Sequence, residues 1–212
     1  MALLNKEDVL RQIAEEILNC KKCPLWQHRN KAVPGEGNAN AEIMFIGEAP
    51  GYHEDIQGRP FVGAAGKLLT QLITSLGLKR EDVYITNVVK CRPPNNRDPR
   101  PDEIAACSPY LDKQMKVISP RIIVTLGRHS TLYLFSKAGI DISGISQVRG
   151  RLFNLTLNDF NVIVIPTYHP AAALYNPRLR DALERDFKFI KKVLTGEYWE
   201  EKKKTVTLEE FF

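Results

Sequence analysis

The chain has 212 residues, 43% of them hydrophobic and 26% charged, with a net charge of +5. That is enough apolar material for one sizeable core without disulfide staples, and the mild basic excess permits a polyanionic partner without demanding one. No apolar run reaches membrane-spanning length and the N-terminus MALLNKEDVLRQ has no signal-peptide pattern, so an intracellular protein is expected.

Residues 5–19 read as a capped amphipathic helix. AEIMFIG (41–47) is a short apolar run closed by Gly, the mark of a buried strand. Helical periodicity returns over 63–78, and the β-branched segment DVYITNVV (82–89) predicts a second strand. Pro and two acids open a helix over 100–118. PRIIVTLG (120–127) is a further buried strand, and RHSTLYLFSK after it is predicted helical. RGRLFNLTL and FNVIVIPTYHP supply two more strands, and 176–194 a last amphipathic helix. Strands alternating with helices predict an α/β sandwich, a mostly parallel sheet with helices on both faces. In such sheets ligands bind at the carboxyl ends of the strands. Three polar loops fall there: GEAPGYHED, NVVKCRPPNN and YHPAAAL. From Gly196 the composition changes to a charged tail ending in Phe211-Phe212, so domains are expected at 1–195 and 196–212.

Cys20-x2-Cys23 puts two thiols within reach of one metal, and Cys91 and Cys107 can complete a four-thiolate site. Zinc and an iron–sulfur cluster accept the same ligands, and spacing does not choose between them. A thioredoxin-like redox pair is a third option, although that motif follows a strand and this one follows a helix.

GEAPGYHEDIQGRPFVGAAGKLL, TNVVKCRPPNNRDPRPDEIAAC and HPAAAL, in that order, resemble the family 4 uracil-DNA glycosylases, the iron–sulfur type of archaea and thermophilic bacteria. The resemblance runs from about Cys20 to the last helix. It implies a three-layer α/β/α sandwich around a four-stranded sheet and a 4Fe-4S cluster on Cys20, Cys23, Cys91 and Cys107. It also implies hydrolysis of the N-glycosidic bond of deoxyuridine in DNA by a monomer at the nucleoid. No lysine stands out as a Schiff-base nucleophile, so no strand cleavage is expected.

The same resemblance assigns roles. Phe61 would stack on uracil, with the backbone of Gly47, Glu48 and Ala49 lining the pocket. Asn87 would read the base edge, accepting from N3–H and donating to O4. His169 would donate to O2, where charge develops as uracil leaves. Family 1 enzymes carry Gly-Gln-Asp-Pro-Tyr in the first loop, with the Asp activating water; here Ala49 stands at that place and Glu48 at the Gln. Glu54 is therefore the expected water activator, with Glu48 organising the pocket and Asp55 as second choice. Arg149, Gly150, Arg151 and the CRPPNNR loop are expected on the DNA backbone, with Leu174 as a wedge into the gap. The tail residues Leu208, Phe211 and Phe212 fit the sliding-clamp (PCNA-interacting) peptide pattern, with Thr205 in place of its usual Gln. Two other readings are a non-catalytic iron–sulfur module binding nucleic acid and a redox protein using Cys20 and Cys23.

Overall fold

A computed structural model describes residues 5–157 and 160–202. The central sheet holds β1 (Glu36–Gly37), β2 (Ile43–Gly47), β3 (Tyr84–Asn87), β4 (Ile122–Leu126), β5 (Phe153–Leu157) and β6 (Phe160–Thr167), in the order β1-β3-β2-β4-β6-β5. Four of the five expected strands, β3, β2, β4 and β6, form a parallel core. The sheet is wider than four, however, because β1 and β5 cap its two edges in antiparallel pairing. A two-residue strand such as β1 carries too little pattern to be read from sequence.

Every residue of β2, β3 and β4 is buried, as a sheet covered on both faces requires. Alternation sorts them into two cores. Met44 and Ile46 pack with the helices α1 (Lys6–Leu18), α4 (Pro101–Ile118) and α5 (Arg128–Lys137). Ile43 and Phe45 face α3 (Ala64–Ser75) and α8 (Pro177–Thr195). Phe45 and Phe187 lie ring on ring, centroids 5.9 Å apart and nearly parallel at 5°. The result is the three-layer sandwich.

Local chemistry sets the element ends. Asn5 caps α1 by accepting from the Asp8 amide at 2.8 Å. Gly196, at φ +89°, closes α8. Residues 197–202 then turn helical and fold back: Tyr198 meets the edge of Phe189 at 5.4 Å and Lys192 pairs with Glu201 at 2.7 Å. Two short helices were not expected, α2 (Tyr52–Gln57) and α6 (Ile145–Val148), and HPAAAL starts a third, α7 (Pro170–Ala173). The tail residues Leu208, Phe211 and Phe212 lie outside the described residues.

Asp186 fastens α8 to the sheet. It is 3% exposed, accepts from Thr167 Oγ1 at 2.6 Å and from Arg149 Nε at 3.1 Å, and lies beside Gly150. A Cβ on Gly150, at φ +65°, would sit 2.4 Å from Asp186 Oδ1, so glycine is needed for this approach. Deleting one partner of a buried pair strands the other's charge. Asp186→Ala is expected to lower stability by about 3 kcal/mol, read by urea denaturation.

Candidate active site

A cavity of about 320 Å³ opens at the carboxyl ends of β2, β3 and β6, lined by residues from all three expected loops. Parallel pairing sets Gly47 directly beside Asn87 at its floor. A Cβ on Gly47 would lie 2.4 Å from Asn87 Oδ1 and 2.7 Å from Phe61 Cζ. Gly47 therefore makes the room in which Asn87 and Phe61 meet.

Asn87 is 2% exposed, and its Oδ1 is, among the described residues, the one buried side-chain polar atom without a hydrogen-bond partner. A buried acceptor left unmade costs about 1–3 kcal/mol. Lining the cavity, this acceptor is open to a ligand's N–H.

Phe61 is held in a conformation that a bulky residue rarely adopts, φ +51°. Two contacts enforce it. Glu54 Oε1 accepts from the Val62 amide at 2.8 Å and the Gly63 amide at 2.9 Å. Gly66 passes so close that a Cβ there would be 1.8 Å from the Phe61 carbonyl oxygen. The ring is 6% exposed and faces the His169 ring, centroids 5.5 Å apart at 28°.

His169 caps α7, its Nδ1 accepting from the Ala171 amide at 3.1 Å. That bond assigns the proton to Nε2. Burial pushes the imidazole pKa down to about 4, against a smaller opposing pull from Glu54. His169 is thus a neutral donor through Nε2–H.

The three carboxylates separate. Glu48 lines the cavity, and burial holds its carboxyl above the ordinary range although His129 Nε2 stands 3.8 Å away. His129 also meets Asp98 at 3.1 Å. Glu54 lines the cavity too, but Oε1 already accepts two backbone N–H groups. Asp55 faces the other way. It is 0% exposed and spends both oxygens on Asn30, at 2.9 Å to the amide and 2.6 Å to Nδ2. The expectation of Asp55 as an alternative activator is corrected: it anchors the loop at Asn30.

Arg149 is likewise corrected. It points inward to Asp186 and the Ala182 carbonyl, and stacks over Tyr168 at 4.9 Å, so it is not a surface phosphate contact. Gly150 supports that same pair. Arg151 and Leu174 do face solvent.

Behind the β3 end, Cys20, Cys23, Cys91 and Cys107 converge on one small cavity from three separate segments. Cys91 Sγ accepts from Arg29 Nη1 at 3.0 Å and Cys107 Sγ from the Lys90 amide at 3.2 Å. Four convergent thiols with N–H donors aimed at two sulfurs fit a metal centre. The Lys90 side chain is 1% exposed and lines the cysteine cavity. It donates to Thr86 Oγ1 at 2.6 Å, Gln114 Oε1 at 2.7 Å and the Asn87 carbonyl at 2.8 Å. Sequence reasoning missed Lys90 and His129; a lone Lys or His near a loop reads as surface. Arg97, the last residue of the CRPPNNR loop expected on the DNA backbone, instead lines the cavity and is fixed by two bonds to the buried Glu103, at 2.8 and 2.6 Å.

Residues 34–195 match the profile of the uracil DNA glycosylase superfamily. The chain belongs to that superfamily. It is 65% identical over 187 residues to a type-4 uracil-DNA glycosylase of Sulfurisphaera tokodaii, covering 88% of this chain and 85% of that one. It is 58% identical over 205 residues to a type-4 uracil-DNA glycosylase of Saccharolobus solfataricus, covering 96% and 92%. Identity falls to 31% over 186 residues with a type-5 uracil-DNA glycosylase of Pyrobaculum aerophilum, covering 73% and 79%. Within the superfamily the chain therefore groups with type 4.

The His169 assignment gives a direct expectation. A depressed pKa means that the native state resists protonation from the unfolded value of about 6.5 down to about 4. Its stability contribution is complete above about pH 6.5 and declines as pH falls toward 4. An NMR titration should show a neutral Nε2–H tautomer throughout the neutral range, protonating near pH 4.

Proposed function

We propose that this protein extracts deoxyuridine from DNA and hydrolyses its N-glycosidic bond, releasing uracil and leaving an abasic site without cutting the strand. The observation that carries the reading is the orphaned Oδ1 of buried Asn87, in one cavity with the Phe61 ring and the neutral His169 donor.

A glycosylase must hold a flipped base in a pocket. Phe61 offers the stacking wall. Asn87 Oδ1 accepts uracil N3–H, and its amide nitrogen donates to O4. Cytosine presents an acceptor and a donor at those positions, so it leaves two buried groups unpaired, which is a strong basis for rejection. His169 Nε2–H donates to O2 as the departing base gathers negative charge. Because the imidazole is neutral, it stabilises that charge by a hydrogen bond rather than by giving up a proton. Of the carboxylates, Glu48 suits water activation better than Glu54. Glu54 uses Oε1 to set the Phe61 loop, whereas Glu48 lines the cavity beside His129.

The four cysteines are proposed to hold a 4Fe-4S cluster, as the type-4 resemblance implies. Bound there, it supplies a cross-link joining the segment after α1, the loop after β3 and α4. Residues 1–195 are the proposed catalytic domain. Residues 196–212 would carry a clamp-binding segment at Leu208, Phe211 and Phe212. Arg151 and Leu174 are proposed to meet the DNA, and the protein to act as an intracellular monomer.

An oligonucleotide with one deoxyuridine, treated with the purified chain and then alkali, tests this. Wild type should cut at the uracil. His169→Ala should lower the rate roughly 10²–10³-fold, as loss of one charge-stabilising donor does. Asn87→Ala should lower it roughly 5- to 150-fold, as loss of a buried base-reading bond does. No cutting by iron-loaded wild type would overturn the reading. Metal analysis should find iron rather than zinc, lost with its visible colour in Cys107→Ala.

A further inference from the structure

Five large hydrophobic side chains are exposed among the described residues, and four of them lie on two segments, after β2 and after β6, that also supply cavity-lining residues. Tyr52 is 54% exposed and immediately follows the cavity-lining Gly51. Ile56, 43% exposed, lies four residues on and shares its face of α2. Leu174, 36% exposed, and Tyr175, 91% exposed, follow the cavity-lining Ala171. The topology separates the two sets. One segment leaves β2 and the other leaves β6, with β4 between them, so their roots stand about 10 Å apart, two strand spacings.

Tyr52 also carries a cation. The Arg92 guanidinium lies 5.1 Å from its ring centroid. Arg92 Nε is fixed to Asn96 Oδ1 at 2.7 Å, and Asn96 itself lines the cavity. A ring backed by a fixed guanidinium is suited to a flat, electron-rich partner next to an anion. A tyrosine 91% exposed beside a polyanion-binding pocket has no packing role within the fold.

We propose that Tyr52 with Arg92, and Tyr175, are two base-stacking platforms that grip single-stranded DNA on either side of the extracted nucleotide. This rests on the uracil-releasing function proposed above and extends it to how the strand is held. Base–aromatic stacking tolerates any sequence, because every base has a π-face. The platforms would supply affinity for the neighbours of uracil without reading them. They touch no reacting group, so they act on KM rather than on kcat.

The test uses the full, iron-loaded chain with Tyr52→Ala and Tyr175→Ala, and Tyr52→Phe and Tyr175→Phe as ring-keeping controls. Substrates are single-stranded oligonucleotides with one deoxyuridine, intact or with both flanking nucleotides replaced by abasic spacers. Each Ala variant should raise KM roughly 5- to 100-fold on the intact strand, the range of one lost stack, with kcat unchanged. Each Phe variant should behave as wild type. On the spacer-flanked strand, wild type and Ala variants should converge, because the bases that the rings would hold are gone. An unchanged KM in either Ala variant overturns the assignment of that residue. A KM penalty that persists in full on the spacer-flanked strand overturns stacking as the cause. Fluorescence anisotropy with a uracil-free strand separates this from the parent reading. A wild type that releases no uracil yet binds the strand less tightly on loss of either ring would sink the glycosylase and keep the platforms.

Discussion

The ammonium of Lys90 is buried at the carboxyl end of the sheet and spends its three N–H bonds on Thr86, Asn87 and Gln114. Burial draws its pKa down to about 7, against a smaller opposing pull from Cys107. Gln114 in turn donates to the Pro34 carbonyl at 2.8 Å and to Tyr84 at 3.1 Å. This knot fixes the end of β3 against α4. Through the Lys90 amide and Cys107 it also reaches the four-cysteine centre. Asn87 and the cysteine centre are therefore joined by one hydrogen-bonded network. A centre with no atom in the pocket can set the pocket's geometry by this route.

The pocket holds each of its groups in one fixed state. Asn87 keeps an acceptor unpaired, His169 is kept neutral, and Phe61 is kept at positive φ. The unpaired acceptor and the positive φ cost stability, whereas the neutral imidazole is the ordinary form at neutral pH; each state is set by a neighbour: Gly47 beside Asn87, the Ala171 amide on His169, Glu54 and Gly66 around Phe61. The strain is concentrated where ligand contacts can relieve it, as expected of a site shaped for binding rather than for folding.

The parallel core was legible because its strands are buried on both faces and read as continuous apolar runs. At the edges, β1 is too short for a pattern, while β5 was legible as a strand in RGRLFNLTL, but its antiparallel place beyond the four-stranded core that the resemblance implied was not. The pocket residues Phe61, Asn87 and His169 could be named from their loops, and they meet in one cavity. Roles set by distant partners could not. Nothing near Asp55 in the chain points to Asn30, and nothing near Arg149 points to Asp186, 37 residues away. Both looked like functional charges and both are structural. Glu54 was read as a base, whereas its bonds to Val62 and Gly63 make it first a brace for Phe61.

The account turns on Asn87 Oδ1 as the acceptor that selects the base. The most direct test is competition by free uracil and free cytosine against a deoxyuridine strand, in wild type and in Asn87→Ala. Uracil should occupy the wild-type pocket and cytosine should not, and Asn87→Ala should erase the difference. A variant that keeps the full preference for uracil would contradict the account, because the selecting atom would then lie elsewhere.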